Sequence, residues 1–280
     1  MHKAGFVNIV GNPNVGKSTL MNALVGERIS IITSKSQTTR HRIMGIVNGE
    51  DFQIVYSDTP GALKPNYRLQ ESMLEASESA FKDADVLLYV TDTVESYDKN
   101  LDFLDKVRKM QTPIFLIINK IDLLSSQKEL EDLVDKWKTV LPNARIIPIC
   151  AKEKFNVENL LTQIKELLPE SPAYFDKDAL TDRPARFFVT EIIREKILEL
   201  YDKEIPYSSE VVVEKFVEDN KLIHINAVIY VERDSQKSII IGKSGSMLKK
   251  VGMMARKDVE AFFQKKVFLE LFVKVEKDWR

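Results

Sequence analysis

The sequence predicts two folded units: an α/β unit with a mostly parallel sheet, followed by a smaller α+β unit. Over roughly the first 170 residues, short apolar runs alternate with helical patterns, as in parallel sheets with helices on both faces. A polar, aperiodic stretch follows Pro169 and Pro172 and is typical of a linker. The 280 residues suffice for two hydrophobic cores. We therefore predict domains at 1–170 and 187–280, joined by a linker at 171–186.

Six strands are predicted in the first unit. They are Phe6–Val10, Arg42–Val47, Phe52–Ser57, Val86–Thr91, Ile114–Asn119 and Arg145–Ile149. Helices are expected to begin at Lys17, near Asn66, at Asp98, near Ser126 and near Asn156. From Gly26 to Arg42 the apolar periodicity ends after Ile32, and Ser, Thr, Lys and Arg dominate, which predicts a mobile loop.

The second unit has a different order of elements. A helix over about Phe187–Lys203 precedes two strands, which are followed by two helices and a last strand. The two strands are Ser209–Glu218 and Leu222–Glu232, the two helices are Ser235–Ile241 and Ser246–Lys265, and the last strand is Val267–Val275. The predicted order is therefore α-β-β-α-α-β.

Composition and charge restrict the class of protein. The net charge of −1 gives the whole chain no bulk attraction to nucleic acid or anionic lipid, but residues 237–280 alone carry +6. The single cysteine, Cys150, excludes an intramolecular disulfide and fits a reducing compartment. No apolar run approaches the ~20 residues of a membrane span, and the first residues do not form a signal peptide. We expect a cytosolic protein with a local basic surface near its C-terminus.

The most informative motif is Gly11–Ser18, which fits G-x-x-x-x-G-K-[ST] between an apolar strand and a helix. Backbone N–H groups of such a glycine-rich turn bind nucleotide phosphates. Lys17 is expected to reach the β- and γ-phosphates, and the Ser18 hydroxyl is expected to ligate Mg²⁺. The residues assigned to the phosphates are Gly11, Asn12, Pro13, Asn14, Val15, Gly16, Lys17, Ser18 and Thr19.

A later motif, Asn119-Lys120-Ile121-Asp122, selects the base. A carboxylate at Asp122 can accept hydrogen bonds from guanine N1–H and the exocyclic amine, a donor pair that adenine lacks. Lys120 can lay its methylene stem over the base, and Asn119 can brace the loop. The segment Cys150-Ala151-Lys152 is expected to close the pocket, with the Ala151 N–H facing the guanine carbonyl. The chain is thereby predicted to bind GTP and GDP.

Asp58-Thr59-Pro60-Gly61 lies between these motifs, at the end of a strand. Asp58 can hold Mg²⁺ through water, and Gly61 can bring its N–H to the γ-phosphate. In isolation this motif would indicate only a turn. In the polar loop, Thr39 is favoured over Thr38 as the residue that completes the Mg²⁺ shell when GTP is bound.

The predicted Mg²⁺ ligands are therefore Ser18, Thr39 and Asp58, and the catalytic roles fall to Lys17, Thr39 and Gly61. Ala62 stands where many GTPases carry a water-orienting glutamine, so slow intrinsic hydrolysis is expected.

In the second unit, Gly242–Gly245 forms a G-x-x-G loop between two helices. Such a loop can clamp a nucleic-acid backbone, and the basic charge and the order of elements resemble a type II KH domain. The residues assigned to RNA are Ile241, Gly242, Lys243, Ser244, Gly245, Lys249 and Lys250, with Arg256 and Lys257 able to extend the basic face. Met247, Met253 and Met254 are expected in the core.

Together these motifs resemble the bacterial Era family over essentially the whole chain. Further stretches that carry the resemblance are Gln37-Thr38-Thr39-Arg40-His41-Arg42, Thr181-Asp182-Arg183, Glu191-Ile192-Ile193-Arg194-Glu195-Lys196 and Ile205-Pro206-Tyr207-Ser208. The resemblance implies a GTP-dependent factor that binds the 3′ end of small-subunit ribosomal RNA and assists assembly of that subunit. It also implies peripheral contact with the inner membrane face and a K⁺ ion held with the help of Asn14. Cys150 departs from the serine usual in the family.

Two functional classes stay open at this point. The protein is either an enzyme whose GTP turnover drives release from the ribosomal particle, or mainly a GTP-gated RNA-binding module with incidental hydrolysis. Ala62 keeps the second class open. We expect a monomer in either case.

Overall fold

The computed structural model describes residues 1–277, so the last three residues of the predicted KH domain lie outside the described residues. The chain divides into two compact units, residues 1–182 and 183–280. The division falls within the predicted linker 171–186. The early part of that segment packs on the first unit, because Gln53 Nε2 donates to Phe175 O at 2.8 Å and Thr181 Oγ1 donates to Met44 O at 2.7 Å.

The first unit contains one six-stranded sheet in the order β2-β3-β1-β4-β5-β6. Only β2 runs antiparallel to its neighbour. The strands are β1 Lys3–Gly11, β2 Ile43–Asn48, β3 Phe52–Asp58, β4 Val86–Asp92, β5 Ile114–Asn119 and β6 Arg145–Pro148. This arrangement confirms the predicted mostly parallel α/β unit. β1 begins earlier than predicted because polar Lys3 still pairs with Phe52 of β3.

Helices cover both faces of this sheet. They are α1 Lys17–Val25, α2 Arg68–Ser79, α3 Leu101–Arg108, α4 Gln127–Val140 and α5 Val157–Leu167. Each face has its own apolar cluster, one around Ile9 and Leu160 and the other around Val10 and Leu116. Strands that are buried on both faces are continuously apolar, so these strands could be predicted from their apolar runs in the sequence. α3 begins after a 3₁₀ turn at Tyr97–Asn100 rather than at Asp98.

The second unit packs three helices on one face of a three-stranded sheet. Its elements are α6 Ala185–Leu200, β7 Ser209–Glu218, β8 Leu222–Val231, α7 Asp234–Ile241, α8 Ser246–Phe263 and β9 Lys266–Val275. β7 is antiparallel to β8, and β8 is parallel to β9. Ile193, Ile225 and Val251 lie in its core. The observed order confirms the α-β-β-α-α-β prediction.

None of the helices among residues 1–277 combines the length and the apolarity needed to cross a lipid bilayer.

Candidate nucleotide and nucleic-acid sites

The phosphate loop joins β1 to α1 in a conformation that requires glycine at two positions. Gly11 and Gly16 have φ values of 146° and 95°. A Cβ on Gly11 would lie 2.2 Å from Val90 O, and one on Gly16 would lie 2.2 Å from Asn119 Nδ2. The loop therefore sits directly against β4 and the predicted base motif, and its close packing explains the two glycines of the motif.

Lys17 opens α1 and turns its side chain back over the loop. Its Nζ donates to the carbonyls of Gly11 at 3.1 Å and Asn12 at 2.8 Å, and the residue is only 7% exposed. Burial lowers the pKa of Lys17 to about 8, although the carboxylates of Asp58 and Glu95 oppose that shift. A phosphate at this position would favour the charged ammonium form.

The three residues predicted as Mg²⁺ ligands meet beside Lys17. Ser18 Oγ donates to Asp58 Oδ2 at 2.7 Å, and Thr39 Oγ1 lies 2.9 Å from Ser18 Oγ and 3.4 Å from Asp58 Oδ2. Asp58 is fully buried, which raises the pKa of its carboxyl group, and hydrogen bonds and Lys17 oppose this. Its Oδ1 has no hydrogen-bond partner among residues 1–277. A hard oxygen donor set with a buried unsatisfied carboxylate oxygen fits Mg²⁺.

The loop before β2 distinguishes the two candidate threonines. Thr39 is buried against Ser18, whereas Thr38 Oγ1 donates to Lys35 O at 2.7 Å within the loop. Tyr67, just before α2, donates its hydroxyl to Gln37 Oε1 at 2.7 Å and so connects this loop to the segment after β3.

The segment after β3 lies against the phosphate loop. A Cβ on Gly61 would come within 2.7 Å of Pro13 Cα, and the Ala62 N–H donates to Gly11 O at 3.1 Å. Thr59 Oγ1 donates to Ile9 O at 2.8 Å. Ala62 is buried in the core beside Val10, so its methyl group offers nothing that could orient water.

Asn119 connects the base motif to the phosphate loop and to the segment Cys150-Ala151-Lys152. Its Nδ2 donates to Val15 O at 2.9 Å, and its Oδ1 accepts from the Ala151 N–H at 3.0 Å. The Ala151 N–H was expected to face the guanine carbonyl. Because Asn119 already uses that donor here, a base carbonyl has to share it or displace Asn119.

The other residues of the base motif differ in their positions. Asp122 lies in an exposed 3₁₀ turn. Burial and the nearby Asp122 carboxylate raise the pKa of the Cys150 thiol. Lys120 Nζ donates to Asn14 O at 2.6 Å and to Asp92 Oδ2 at 2.7 Å, which connects the base motif to the phosphate loop. Lys152 points away into solvent, with its side chain 82% exposed and 3.8 Å from Glu153.

Two acidic residues, one at the end of β4 and one shortly after it, were not found from the sequence. Asp92 accepts a hydrogen bond from Lys120, and Glu95 accepts one from Thr91 Oγ1 at 3.1 Å. Burial raises the pKa of Glu95, and Asn12 of the phosphate loop opposes that shift. No motif marks either residue, because the neighbouring strands β5 and β1 bring Lys120 and Asn12 near them. A cavity of about 410 Å³ lies between the phosphate loop and residues 31–39, with Gly61 and Lys120 also in its lining.

In the second unit, the G-x-x-G loop adopts positive φ values, a conformation that glycine permits. Gly242, Ser244 and Gly245 have φ values of 71°, 52° and 77°. Lys243 and Ser244 are exposed, and α8 begins at once after the loop. A Cβ on Gly242 would lie 2.7 Å from Met247 Cγ, so the turn and the packing of α8 both depend on that glycine.

A groove of about 410 Å³ begins at this loop and runs between α8 and β9. Its lining residues are Gly245, Leu248, Lys249, Gly252, Met253, Arg256, Leu269 and Leu271. Met253 is 58% exposed, so its expected place in the core is wrong. The helical period that carries Val251 and Ala255 inward turns Met253 outward. Lys250 is exposed but does not line the groove.

Comparisons with known proteins agree with both units. A family model described as a 50S ribosome-binding GTPase matches residues 6–120, and a KH domain model matches residues 204–280. The chain is 37% identical to Era solved in complex with MgGDPNP and nucleotides 1506–1542 of 16S ribosomal RNA, with a TM-score of 0.95 over 100% of this chain and 95% of that chain. It is also 37% identical to an Aquifex aeolicus Era point variant bound to GDP and AlF4⁻, with a TM-score of 0.94 over 99% of this chain and 95% of that one. The chain therefore belongs to the Era family of GTPases.

Proposed function

We propose that this protein is a GTP-hydrolysing switch that binds the 3′ end of small-subunit ribosomal RNA and assists assembly of that subunit. The observation that carries the proposal is the convergence of Ser18, Thr39 and Asp58 beside the buried Lys17. Thr39 belongs to a loop that is separate in sequence from the phosphate loop, so its position can report the nucleotide state. The RNA partner is supported by the similar Era structure with 16S ribosomal RNA nucleotides.

At the phosphates, the loop residues 11–19 supply N–H groups, and Lys17 supplies a positive charge. Ser18, Thr39 and Asp58 would hold Mg²⁺, which when bound neutralises charge on the β- and γ-phosphate oxygens. Thr59 and Pro60 place Gly61 against Pro13, where its N–H can face the γ-phosphate. Thr39 can reach the Mg²⁺ site only while its loop is closed, and loss of the γ-phosphate would remove one reason for that closure.

At the base, Asp122 would accept the two guanine donors while Asn119 braces the pocket. Lys120 is already held at the phosphate loop and at Asp92. Its stem is therefore placed between the two halves of the nucleotide site. Cys150 and Ala151 would border the base, and Lys152 would contribute through its backbone, since its side chain is in solvent.

Hydrolysis is expected to be slow, because Ala62 is buried and has no polar side chain. This feature supports the second candidate, an RNA-binding module that GTP gates and in which hydrolysis is incidental. Single-turnover GTP hydrolysis, measured with and without 3′-end RNA, separates the two. Acceleration by RNA supports the enzymatic switch, and an unchanged slow rate supports the module.

RNA is proposed to enter the groove beside Gly242–Gly245. The exposed Lys243 lies in the loop, and Lys249 and Arg256 line the groove on α8. Leu269 and Leu271 form its apolar side on β9. Cationic groups on one side and apolar groups on the other suit a single strand whose phosphates face α8 and whose bases face β9.

Replacing Lys243 and Ser244 together with Asp should weaken RNA binding about tenfold or more, because two negative charges would then face the phosphates. Loss of one phosphate contact should also reduce the salt slope by about 0.7. RNA titrations at several salt concentrations measure both effects, and GTP affinity should be unchanged.

The matched control changes Asn220 and Lys221 to Asp. Both residues are exposed at the turn between β7 and β8, so this variant makes the same charge change outside the groove. If both variants bind RNA as the wild type does, the groove assignment is wrong. If both weaken it equally, the effect is one of net charge.

We further propose that Asn14 helps to hold a K⁺ ion beside the phosphates. Asn14 is exposed and lines the nucleotide cavity. Hydrolysis should be faster in K⁺ than in Na⁺ at equal ionic strength, and Asn14→Ala should abolish the difference, whereas Asn143→Ala at an exposed site should not. Equal rates in the two salts would contradict this proposal.

Our expectations of a cytoplasmic location, peripheral membrane contact and a monomeric state stay predictions.

A further inference from the structure

We propose that Arg42 is a positioning residue that makes the nucleotide site prefer GTP to GDP, because it fixes the loop that carries Thr39 to the end of α2. We call residues 26–42 the switch loop. Thr39 lies in this loop, and Gly61 lies in the segment that leads to α2. Both are groups that the proposed function brings to the γ-phosphate and its Mg²⁺, so this inference rests on that function.

Arg42 ends the switch loop and is followed at once by β2. Its guanidinium group makes two parallel bonds to the carboxylate of Asp83, from Nη2 to Oδ1 and from Nη1 to Oδ2, each 2.9 Å long. Bidentate pairs of this kind are strong and fix the orientation of both side chains. Asp83 lies in the connection between α2 and β4. The pair therefore joins the end of the switch loop to the C-terminal end of α2.

Two buried polar side chains of the sheet hold the same guanidinium group. Arg42 Nε donates to Ser57 Oγ on β3, and Nη2 donates to Asn8 Oδ1 on β1 at 3.1 Å. Asn8 in turn donates its Nδ2 to Asp83 Oδ1 and to Ala80 O, both at 2.7 Å. Ser57 and Asn8 are fully buried, so each needs a partner inside the protein. The rigid fork of an arginine meets them and the carboxylate together, which a lysine cannot do.

The switch loop is also bonded to the other end of α2. Tyr67 immediately precedes this helix, and its hydroxyl donates to Gln37 Oε1 at 2.7 Å. Near the C-terminal end of the helix, Ser77 Oγ donates to Pro60 O at 2.8 Å in the segment after β3. Thr39 therefore lies between two points at which the switch loop is fixed to α2 or to its end, and α2 is itself bonded to the segment that faces the γ-phosphate.

Fixing the end of the loop limits how far Thr39 can move. Three residues span at most about 11 Å of extended chain, so Thr39 stays close to its site while Arg42 is held. Less conformational entropy is then lost when the loop closes on Mg²⁺. In the proposed function GTP uses Thr39 and GDP does not. The fraction of molecules whose loop is ready to close therefore enters the affinity for GTP alone.

The test measures the ratio of two affinities, for GDPNP, a non-hydrolysable GTP analogue, and for GDP, by titrating each with Mg²⁺ into the full chain. Arg42→Gln should lower the affinity for GDPNP by a factor of about 5 or more and leave the affinity for GDP unchanged. Arg42→Lys, which keeps the charge and loses the fork, should lower the ratio less. The matched control is Arg108→Gln, which breaks another arginine–aspartate pair of the first unit, from Nη1 to Asp105 Oδ1 at 2.8 Å, and should not change the ratio.

Asp83→Asn tests whether the ion pair carries the effect. The Asp83 side chain is 41% exposed and Asn has nearly the same shape, so the fold should tolerate this change. The variant should lower the ratio in the same direction as Arg42→Gln. The double variant should lower it no further than Arg42→Gln alone, because both changes remove one interaction. Two effects that multiply would contradict the proposed pair. If circular dichroism shows that Arg42→Gln does not fold, Asp83→Asn decides the question alone.

The remaining outcomes distinguish this inference from the proposed function. Equal losses of GDPNP and GDP affinity in Arg42→Gln would show that Arg42 only supports the fold, and unchanged affinities would show that the loop needs no such anchor. Either result overturns the inference. Thr39→Ala is measured beside it. If Thr39→Ala lowers the ratio and Arg42→Gln does not, the inference fails and the proposed function stands. If Thr39→Ala keeps the wild-type ratio, the proposed role of Thr39 fails, and this inference fails with it.

Discussion

Asp122→Asn is expected to lower GTP affinity by a factor of about 10² to 10⁴ and to allow binding of xanthosine triphosphate. Two hydrogen bonds to a charged acceptor are lost, each contributing about 1.5–3 kcal/mol. Xanthine presents an acceptor in place of the exocyclic amine, which the new amide can donate to. Asp122 lies in an exposed 3₁₀ turn, and Asn has nearly the same shape, so the fold should be unaffected.

Titration of both nucleotides into the wild type and the variant measures this exchange of specificity. Asp132→Asn removes an equally exposed carboxylate from α4 and should leave both affinities as they are. The base-site assignment fails if Asp122→Asn retains wild-type GTP affinity. A loss of GTP binding without a gain for the xanthine nucleotide would place Asp122 in a structural role.

Lys17→Ala is expected to abolish measurable nucleotide binding without unfolding the chain. The ammonium group is held over the loop by two carbonyls, ready to meet phosphate oxygens, and direct bonds to two phosphates contribute about 1.5–3 kcal/mol each. The side chain is buried but belongs to no apolar cluster among the described residues. Its removal should therefore lower nucleotide affinity much more than it lowers the stability of the fold.

The comparison variant is Lys128→Ala, which removes an exposed lysine from α4. Circular dichroism and thermal unfolding without nucleotide should give the same curves for the wild type and both variants. Added GTP should raise the melting temperature of the wild type and Lys128→Ala only, because a ligand stabilises only a state that binds it. Equal stabilisation of Lys17→Ala would contradict the assignment of Lys17.

The sequence by itself determined the fold class, the order of the elements and the family. Ile114–Asn119 and Ser209–Glu218 have the bounds that were predicted, because strand burial and alternation are local patterns. Gly11–Ser18 could be recognised because one short loop supplies its own glycines, N–H groups and lysine. A site whose functional groups are adjacent in sequence can therefore be predicted from the sequence.

Tertiary structure decided what depends on residues far apart in sequence. Thr39 and Thr38 are adjacent and chemically equal, and only the packing of one against Ser18 separates them. Lys120 donates to Asp92, and Asn119 accepts from the Ala151 N–H, because parallel strands bring distant loops to one edge of the sheet. Met253 of α8 and Leu269 of β9 border one groove, although they are far apart along the chain. Sheet order and strand register produce these contacts, and neither is encoded in local hydrophobic periodicity.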